Sequence, residues 1–199
     1  MRIGIFGGTF NPIHNSHLYV AQECLKKLNL NRMVIMPALI PPHKPDKKLA
    51  KPEDRLEMCK LATEGLDLFH VSDYEIRSGG ESLTYKTLRY LAEKYPGSEL
   101  FLIMGGDTFL AVQDWKRPEE VYKLATICVV QREKNELTAL DMQKDRLEMH
   151  GARCVIVDID AHPLSSTLVR SMIRTGDNPG DFLPPAVYGY IKKNKLYRK

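Results

Sequence analysis

Met1-Arg-Ile-Gly-Ile-Phe-Gly-Gly-Thr-Phe-Asn-Pro-Ile-His-Asn-Ser-His17 is the stretch whose reading decides the fold. A short apolar run, Ile3 to Phe6, is cut off by Gly7-Gly8, and Asn11-Pro12 and two histidines follow. Beyond them Leu18, Ala21, Leu25 and Leu28 recur at helical spacing, with Asn15 or Ser16 placed as the N-cap. The pattern predicts a buried strand, a glycine turn and a helix N-terminus. In that geometry backbone N–H groups and the helix dipole hold a phosphate. His14 and His17 are three positions apart, so one helical turn presents both imidazoles to a common anion. Hydrogen-bonding imidazoles there suit chemistry on the phosphate as well as grip.

Working outward, Met33 to Pro37 reads as a second buried strand that runs into Pro41-Pro42-His43-Lys44-Pro45. Proline bars that loop from helix and central strand, which holds His43 and Lys44 in a fixed pose. A helix from Glu53 to Leu66 shows Leu56, Cys59 and Ala62 on one face, with Pro52 at its entry. Leu68 to Val71 is a short strand, and Asp73 to Gly80 is polar and glycine-marked. Leu83 to Tyr95 is a helix closed by Pro96-Gly97, and Leu100 to Met104 a buried strand stopped by Gly105-Gly106-Asp107. Glu119 to Leu124 is helical, Thr126 to Val130 is a strand ending near Arg132, and Leu137, Leu140, Lys144 and Leu147 mark a more exposed helix. Cys154 to Val157 is the last strand, with short helices near Ser166 to Arg174 and Pro185 to Lys193.

Apolar strands alternating with helices predict an α/β fold, a Rossmann-like doubly wound parallel sheet covered on both faces. In such folds ligands bind beyond the strand C-termini at a topological switch point. The polar punctuation, Gly7 to Thr9, His43-Lys44, Gly105 to Asp107, Arg132 and Ser165-Ser166, follows the strands each time.

Bulk numbers bound the rest. A chain of 199 residues suits one domain, 1–199, with the helical portion from about 165 to the end packed on the same sheet. A hydrophobic share of 43% with 27% charged residues is that of a soluble globular protein. The net charge of +4 favours anionic ligands mildly and does not indicate nucleic acid, and the tail cations Lys192, Lys193, Lys195, Arg198 and Lys199 suit a solvated helix end. Cys24, Cys59, Cys128 and Cys154 show no C-x-x-C spacing, which argues against a disulfide framework or zinc site and for a reducing compartment. No stretch reads as a signal segment or a membrane span, so the expected location is cytoplasmic, without membrane partners.

Gly7-Gly8 alone is weak, being neither a P-loop nor a G-x-G-x-x-G fingerprint. Taken alone, the histidines also fit a turn cap and a surface residue. The longer run from Gly7 to His17, however, resembles the H-x-G-H signature of the nucleotidylyltransferase superfamily. Leu164-Ser165-Ser166-Thr167-Leu168-Val169-Arg170 resembles its second signature, I-S-S-T-x-[IV]-R. Pro41-Pro42-His43-Lys44, Ser82 to Leu88 and Gly105-Gly106-Asp107 with Trp115 narrow the resemblance to the bacterial nicotinate mononucleotide adenylyltransferases along essentially the whole chain.

That family joins ATP to nicotinate mononucleotide with release of pyrophosphate, with Mg²⁺ held through the phosphates and no metal ligated by the protein. The resemblance implies catalytic roles for His14, His17, Lys44 and Arg170. It implies ATP contacts from Gly7, Gly8, Thr9, Phe10, His14, His17, Gly105, Asp107, Arg132, Ser165, Ser166, Thr167 and Arg170. It implies mononucleotide contacts from Thr9, Lys44, Thr84 and Trp115, the indole offering a stacking face. Asp107 reads equally as a sugar or indirect magnesium contact and as a helix N-cap, and Ser165-Ser166 as a plain N-cap as well as a phosphate site. Self-association into a homo-oligomer stays open.

Three positions depart from the family pattern: Ser16 replaces glycine in H-x-G-H, Leu83 an aromatic residue and Lys86 an acidic one. They bear on rate and substrate preference. The alternatives are a different phosphorylated acceptor (nicotinamide mononucleotide or phosphopantetheine) and a nucleotide-binding homologue weakened in catalysis, for which Ser16 is the argument.

Overall fold

The structure, a computed structural model, describes residues 1–40, 49–131, 137–160 and 164–198. The strands are β1 (Arg2–Gly8), β2 (Arg32–Pro37), β3 (Phe69–Val71), β4 (Glu99–Gly105), β5 (Ala125–Gln131) and β6 (Arg153–Asp158). The helices among the described residues are α1 (Asn15–Lys27), α2 (Pro52–Thr63), α3 (Tyr74–Ser78), α4 (Thr84–Lys94), α5 (Gly106–Leu110), α6 (Pro118–Leu124), α7 (Leu137–Met149), α8 (Ser166–Thr175) and α9 (Pro185–Lys193).

The strands form one parallel sheet in the order β3-β2-β1-β4-β5-β6. The chain winds outward from β1 through β2 and β3, then returns to β4 and winds the other way. β1 and β4 therefore flank the switch point, where open α/β sheets bind ligands. Phe6 stands opposite Ile103 and Gly105 opposite Val130, so Gly7 and Gly105 end neighbouring ladders at the same sheet edge. The doubly wound architecture expected from the strand pattern is the one observed.

By its contacts the chain divides into two compact units. One comprises Met1–Gly7, Val20–Val34 and Leu83–Ala161, and its core is built on Ile3, Ile5, Leu102, Ile103, Ile127 and Val129, all at most 5% exposed. Burying each such side chain contributes about 1.5–3 kcal/mol. The other unit comprises Gly8–Tyr19, Ile35–Ser82 and His162–Lys199 and buries Ile13, Met58, Cys59, Val169, Val187 and Ile191. Among the described residues no helix is long and apolar enough to cross a membrane.

Three local expectations are corrected. β1 does not stop at Phe6 but pairs through Gly7-Gly8, where the Ala38 N–H donates to the Gly8 carbonyl at 2.9 Å. Pairing needs only backbone, and Gly8 suits this position for a different reason: a Cβ there would lie 3.0 Å from the Phe10 ring, which would have to shift by a few tenths of an ångström. Residues 73–80, read only as polar and glycine-marked, contain α3, whose Asp73–Arg77 ion pair spans 2.9 Å. Five residues are too few to show a period. On α2 the buried positions are Arg55, Met58, Cys59, Ala62 and Thr63, while Leu56 is half-exposed.

All four cysteines are free and buried. Burial pushes the Cys24 and Cys128 thiols up to about 12 and Cys154 to about 11, and raises Cys59 further. Protonated, enclosed thiols are inert. An aromatic disulfide reagent at pH 8 should leave the native protein unlabelled and read four thiols after unfolding in guanidinium. Rapid labelling of a single thiol would count against this packing.

Candidate active site

The segment after β1 is held in an unusual course. Phe10 lies in the left-handed region (φ 46°) and the Asn11-Pro12 peptide is cis. A non-glycine residue there costs about 1–3 kcal/mol and persists only where its surroundings over-determine it. Here they do. The Arg55 guanidinium donates to the Thr9 carbonyl at 2.7 Å, Arg170 to the Asn11 carbonyl at 2.9 Å, and the Ser166 hydroxyl to the Pro12 carbonyl at 2.9 Å. The Asn11 Oδ1 accepts from the Ala50 N–H at 3.0 Å and from the Tyr197 hydroxyl at 2.9 Å. An N–H can only donate, so the Ala50 contact fixes which way the Asn11 amide faces. Its Nδ2 is buried with no acceptor among the described residues.

The turn delivers the histidines. His14, 3% exposed, occupies the cap position of α1, and its carbonyl accepts from the N–H groups of His17 (2.9 Å) and Leu18 (3.3 Å). The cap expected at Asn15 or Ser16 is thus displaced to His14. Asn15 opens the helix and donates its amide to the Asp181 carbonyl at 3.0 Å, and Ser16 follows half-buried. His17 reaches back so that its Nδ1 accepts from the His14 N–H at 3.2 Å. This is one half of a capping box, the side chain of the third helical residue reaching back to the cap N–H, with imidazole where glutamate is usual. The bond assigns the tautomer: with Nδ1 accepting, the proton sits on Nε2, which becomes a donor. The two rings stack with centroids 3.6 Å apart at 25°, and Phe10 meets His17 edge-on at 5.2 Å and 81°.

α8 brings the second motif to the same turn. Ser165 caps it, its hydroxyl accepting from the Leu168 N–H at 3.2 Å. Arg170 donates to the Thr167 hydroxyl at 3.3 Å in addition to Asn11. Thr9, Phe10, His14, His17, Ser165, Ser166, Thr167 and Arg170 therefore gather within one unit, tied by hydrogen bonds the motifs themselves supply.

Two members of this cluster escaped the sequence reading. Arg55 falls at i, i+3, i+4 and i+7 with Met58, Cys59 and Ala62, so its signal was a cation on an apolar helical stripe. Its side chain is desolvated, which lowers its pKa, yet a guanidinium stays charged. Tyr197 had no signal at all. Burial raises its hydroxyl pKa against the pull of Arg170 and Arg55, keeping it an O–H donor.

Gly7, Thr84, Gly105, Asp107 and Trp115 belong to the other unit. Gly7, next to last in β1, is exposed, and Gly105 ends β4 and holds the cap position of α5. Asp107 lies in the first turn of α5, exposed, so the N-cap reading does not apply to it. Thr84 opens α4, and Trp115, half-buried, precedes the left-handed Arg117 (φ 56°) and Pro118 at the start of α6. Arg117 lies 5.1 Å over the Tyr85 ring and Arg89 pairs with Glu120 at 2.7 Å, which ties the start of α6, just after Trp115, to α4. Leu83 takes the α4 cap position and Lys86 is exposed. Lys44, His43 and Arg132 lie outside the described residues.

A sequence model described as cytidylyltransferase-like matches residues 5–172. A protein of Clostridium perfringens named "Probable nicotinate-nucleotide adenylyltransferase" is 39% identical over 201 residues, covering 100% of this chain and 98% of the relative. One of the same name from Clostridium novyi is 37% identical over 196 residues, covering 98% of each. Among solved structures, the nicotinic acid mononucleotide adenylyltransferase of Plasmodium falciparum complexed with NaAD superposes with a TM-score of 0.74 at 19% identity, covering 98% of this chain and 97% of that one, a likeness of fold.

Proposed function

We infer the activity from one premise: this chain belongs to the cytidylyltransferase-like family and, within it, to the nicotinate-nucleotide adenylyltransferases. It transfers the adenylyl group of ATP to nicotinate mononucleotide, giving nicotinate adenine dinucleotide and pyrophosphate in NAD biosynthesis. A phosphate oxygen of the mononucleotide attacks the α-phosphorus in line, and the bond to the bridging oxygen of pyrophosphate breaks. The reaction needs alignment and charge stabilisation more than proton transfer.

The observation that carries the reading is the stacked His14–His17 pair at the α1 N-terminus, with His17 Nδ1 already engaged. His17 Nε2–H is then a preorganised donor to a phosphate oxygen, beside His14 and the backbone of Gly8 to Phe10. Ser165, Ser166, Thr167 and Arg170 take the departing pyrophosphate at the α8 N-terminus. Lys44 adds a point charge on the phosphates, Gly7, Gly105, Asp107 and Arg132 meet the nucleotide, and Thr84 and Trp115 take the nicotinate ring. Imidazole, guanidinium and hydroxyl donors fit phosphate oxygens rather than a hard cation, so Mg²⁺ fits this site as an ion carried on the ATP phosphates. There it supplies charge neutralisation. We place the enzyme in the cytoplasm, where its soluble nucleotide substrates are found.

Incubation with ATP, Mg²⁺ and a panel of acceptors tests the reading. Pyrophosphate release should be at least about tenfold faster with nicotinate mononucleotide than with nicotinamide mononucleotide or phosphopantetheine, the discrimination open to a site built for one polar group. No release with either pyridine mononucleotide would sink it. Because Trp115 is the sole tryptophan, its fluorescence should respond to the mononucleotide alone.

A further inference from the structure

We propose that Arg55 is a positioning residue of adenylyl transfer, whose guanidinium sets and polarises the Thr9–Phe10 peptide that faces the ATP phosphates. The proposal rests on the function inferred above. Arg55 is 1% exposed and donates to three backbone carbonyls: Thr9 at 2.7 Å through one terminal nitrogen, Leu39 at 3.0 Å through the other, and Ala50 at 3.3 Å through Nε. Among the described residues it makes no ion pair.

Among the described residues the three carbonyls compensate this buried charge, and an apolar side chain of similar volume would leave each of them without this donor. Only a forked, planar donor set can reach three carbonyls from separate segments at once. The shortest bond falls on Thr9, immediately before the strained Phe10. A charged donor on a peptide carbonyl draws density from that peptide and strengthens its N–H as a donor, and here the N–H belongs to Phe10. The Phe10 ring in turn packs edge-on against His17. Arg55 thereby acts on the phosphate site through Thr9 and Phe10 without touching substrate, and its charge raises the local potential in a medium of low dielectric.

Arg55→Met and Arg55→Lys test this, with ATP binding by calorimetry, steady-state kinetics and thermal melting measured together. Arg55→Met removes the charge and the fork at nearly constant volume. It should weaken ATP binding and lower kcat by about thirtyfold or more while the folded protein persists, as expected when a preorganised donor is lost. Arg55→Lys restores charge but reaches fewer carbonyls, and should recover part of the ATP affinity while kcat stays about tenfold down. ATP affinity and kcat within twofold of the wild type in folded Arg55→Met would overturn the proposal. So would an activity loss that merely tracks the unfolded fraction. If Arg55→Met does not fold, Arg55→Lys decides: a lowered melting temperature with unchanged kinetics below it assigns Arg55 to structure alone. Calorimetry with ATP alone needs no acceptor. A wild-type protein that binds ATP but releases no pyrophosphate overturns the functional reading and leaves the Arg55 comparison readable.

Discussion

His17→Ala should lower kcat by about three orders of magnitude while changing the KM for ATP less than about fivefold, the upper range for loss of one preorganised donor to developing charge. Among the described residues three contacts present His17: its Nδ1 on the His14 N–H, its face against His14 and its edge toward Phe10. All three serve to fix Nε2–H, and none requires a ligand. A donor held in advance costs no reorganisation when the α-phosphoryl group flattens and its oxygens gain charge, so its contribution appears in turnover rather than in ground-state binding. The substitution also removes the side chain that satisfies the His14 N–H at the start of α1. A cap contact of this kind stabilises by about 1 kcal/mol, so melting should fall by a few degrees and no more. Steady-state kinetics with calorimetric ATP titration checks the split. Equal losses in ATP affinity and turnover would remove His17 from the transition state.

Arg170→Lys should cost about a hundredfold in kcat/KM although the charge is kept. One terminal nitrogen of Arg170 bonds the Asn11 carbonyl, the other the Thr167 hydroxyl. The same guanidinium keeps further N–H donors for a phosphate. An ammonium on a flexible stem satisfies one of these sites at a time. Either the turn after β1 loses its tie to α8 or the pyrophosphate loses its partner. Kinetics within threefold of the wild type would show that charge alone is required. Pyrophosphate inhibition measured alongside should weaken in parallel, since the leaving group is the ligand concerned.

The two signature motifs were legible as local units because each is short. His14 and His17 are one helical turn apart, and Ser165 to Arg170 carry their own cap, so spacing along the chain already implies a shared face. α9 was read from Pro185 to Lys193, the span it occupies, since a proline entry and an apolar stripe need no tertiary partner to be recognised. The errors have equally local causes. Glycine is poor in strands by propensity, which hid the last residues of β1, where pairing to Ala38 and the Phe10 ring overrule propensity. Arg55 was passed over because a charged residue on an apolar stripe reads as solvent-facing until three carbonyls are seen to meet it.

By itself, then, the sequence determined the alternation of buried strands and helices, the edge of the sheet that carries polar residues, and the two signature motifs. Periodicity and motif spacing are properties of neighbouring residues, and short-range sterics and capping enforce them wherever the chain goes. Tertiary structure alone decided what those motifs are fastened to. It placed the Arg55 fork on Thr9, Tyr197 on Asn11, and Ser166 and Arg170 on the carbonyls beside the histidines. Those bonds join residues up to 186 positions apart. Their geometry exists only once packing has excluded water from the donors and left the turn's carbonyls as their acceptors, and no pattern along the chain encodes that choice.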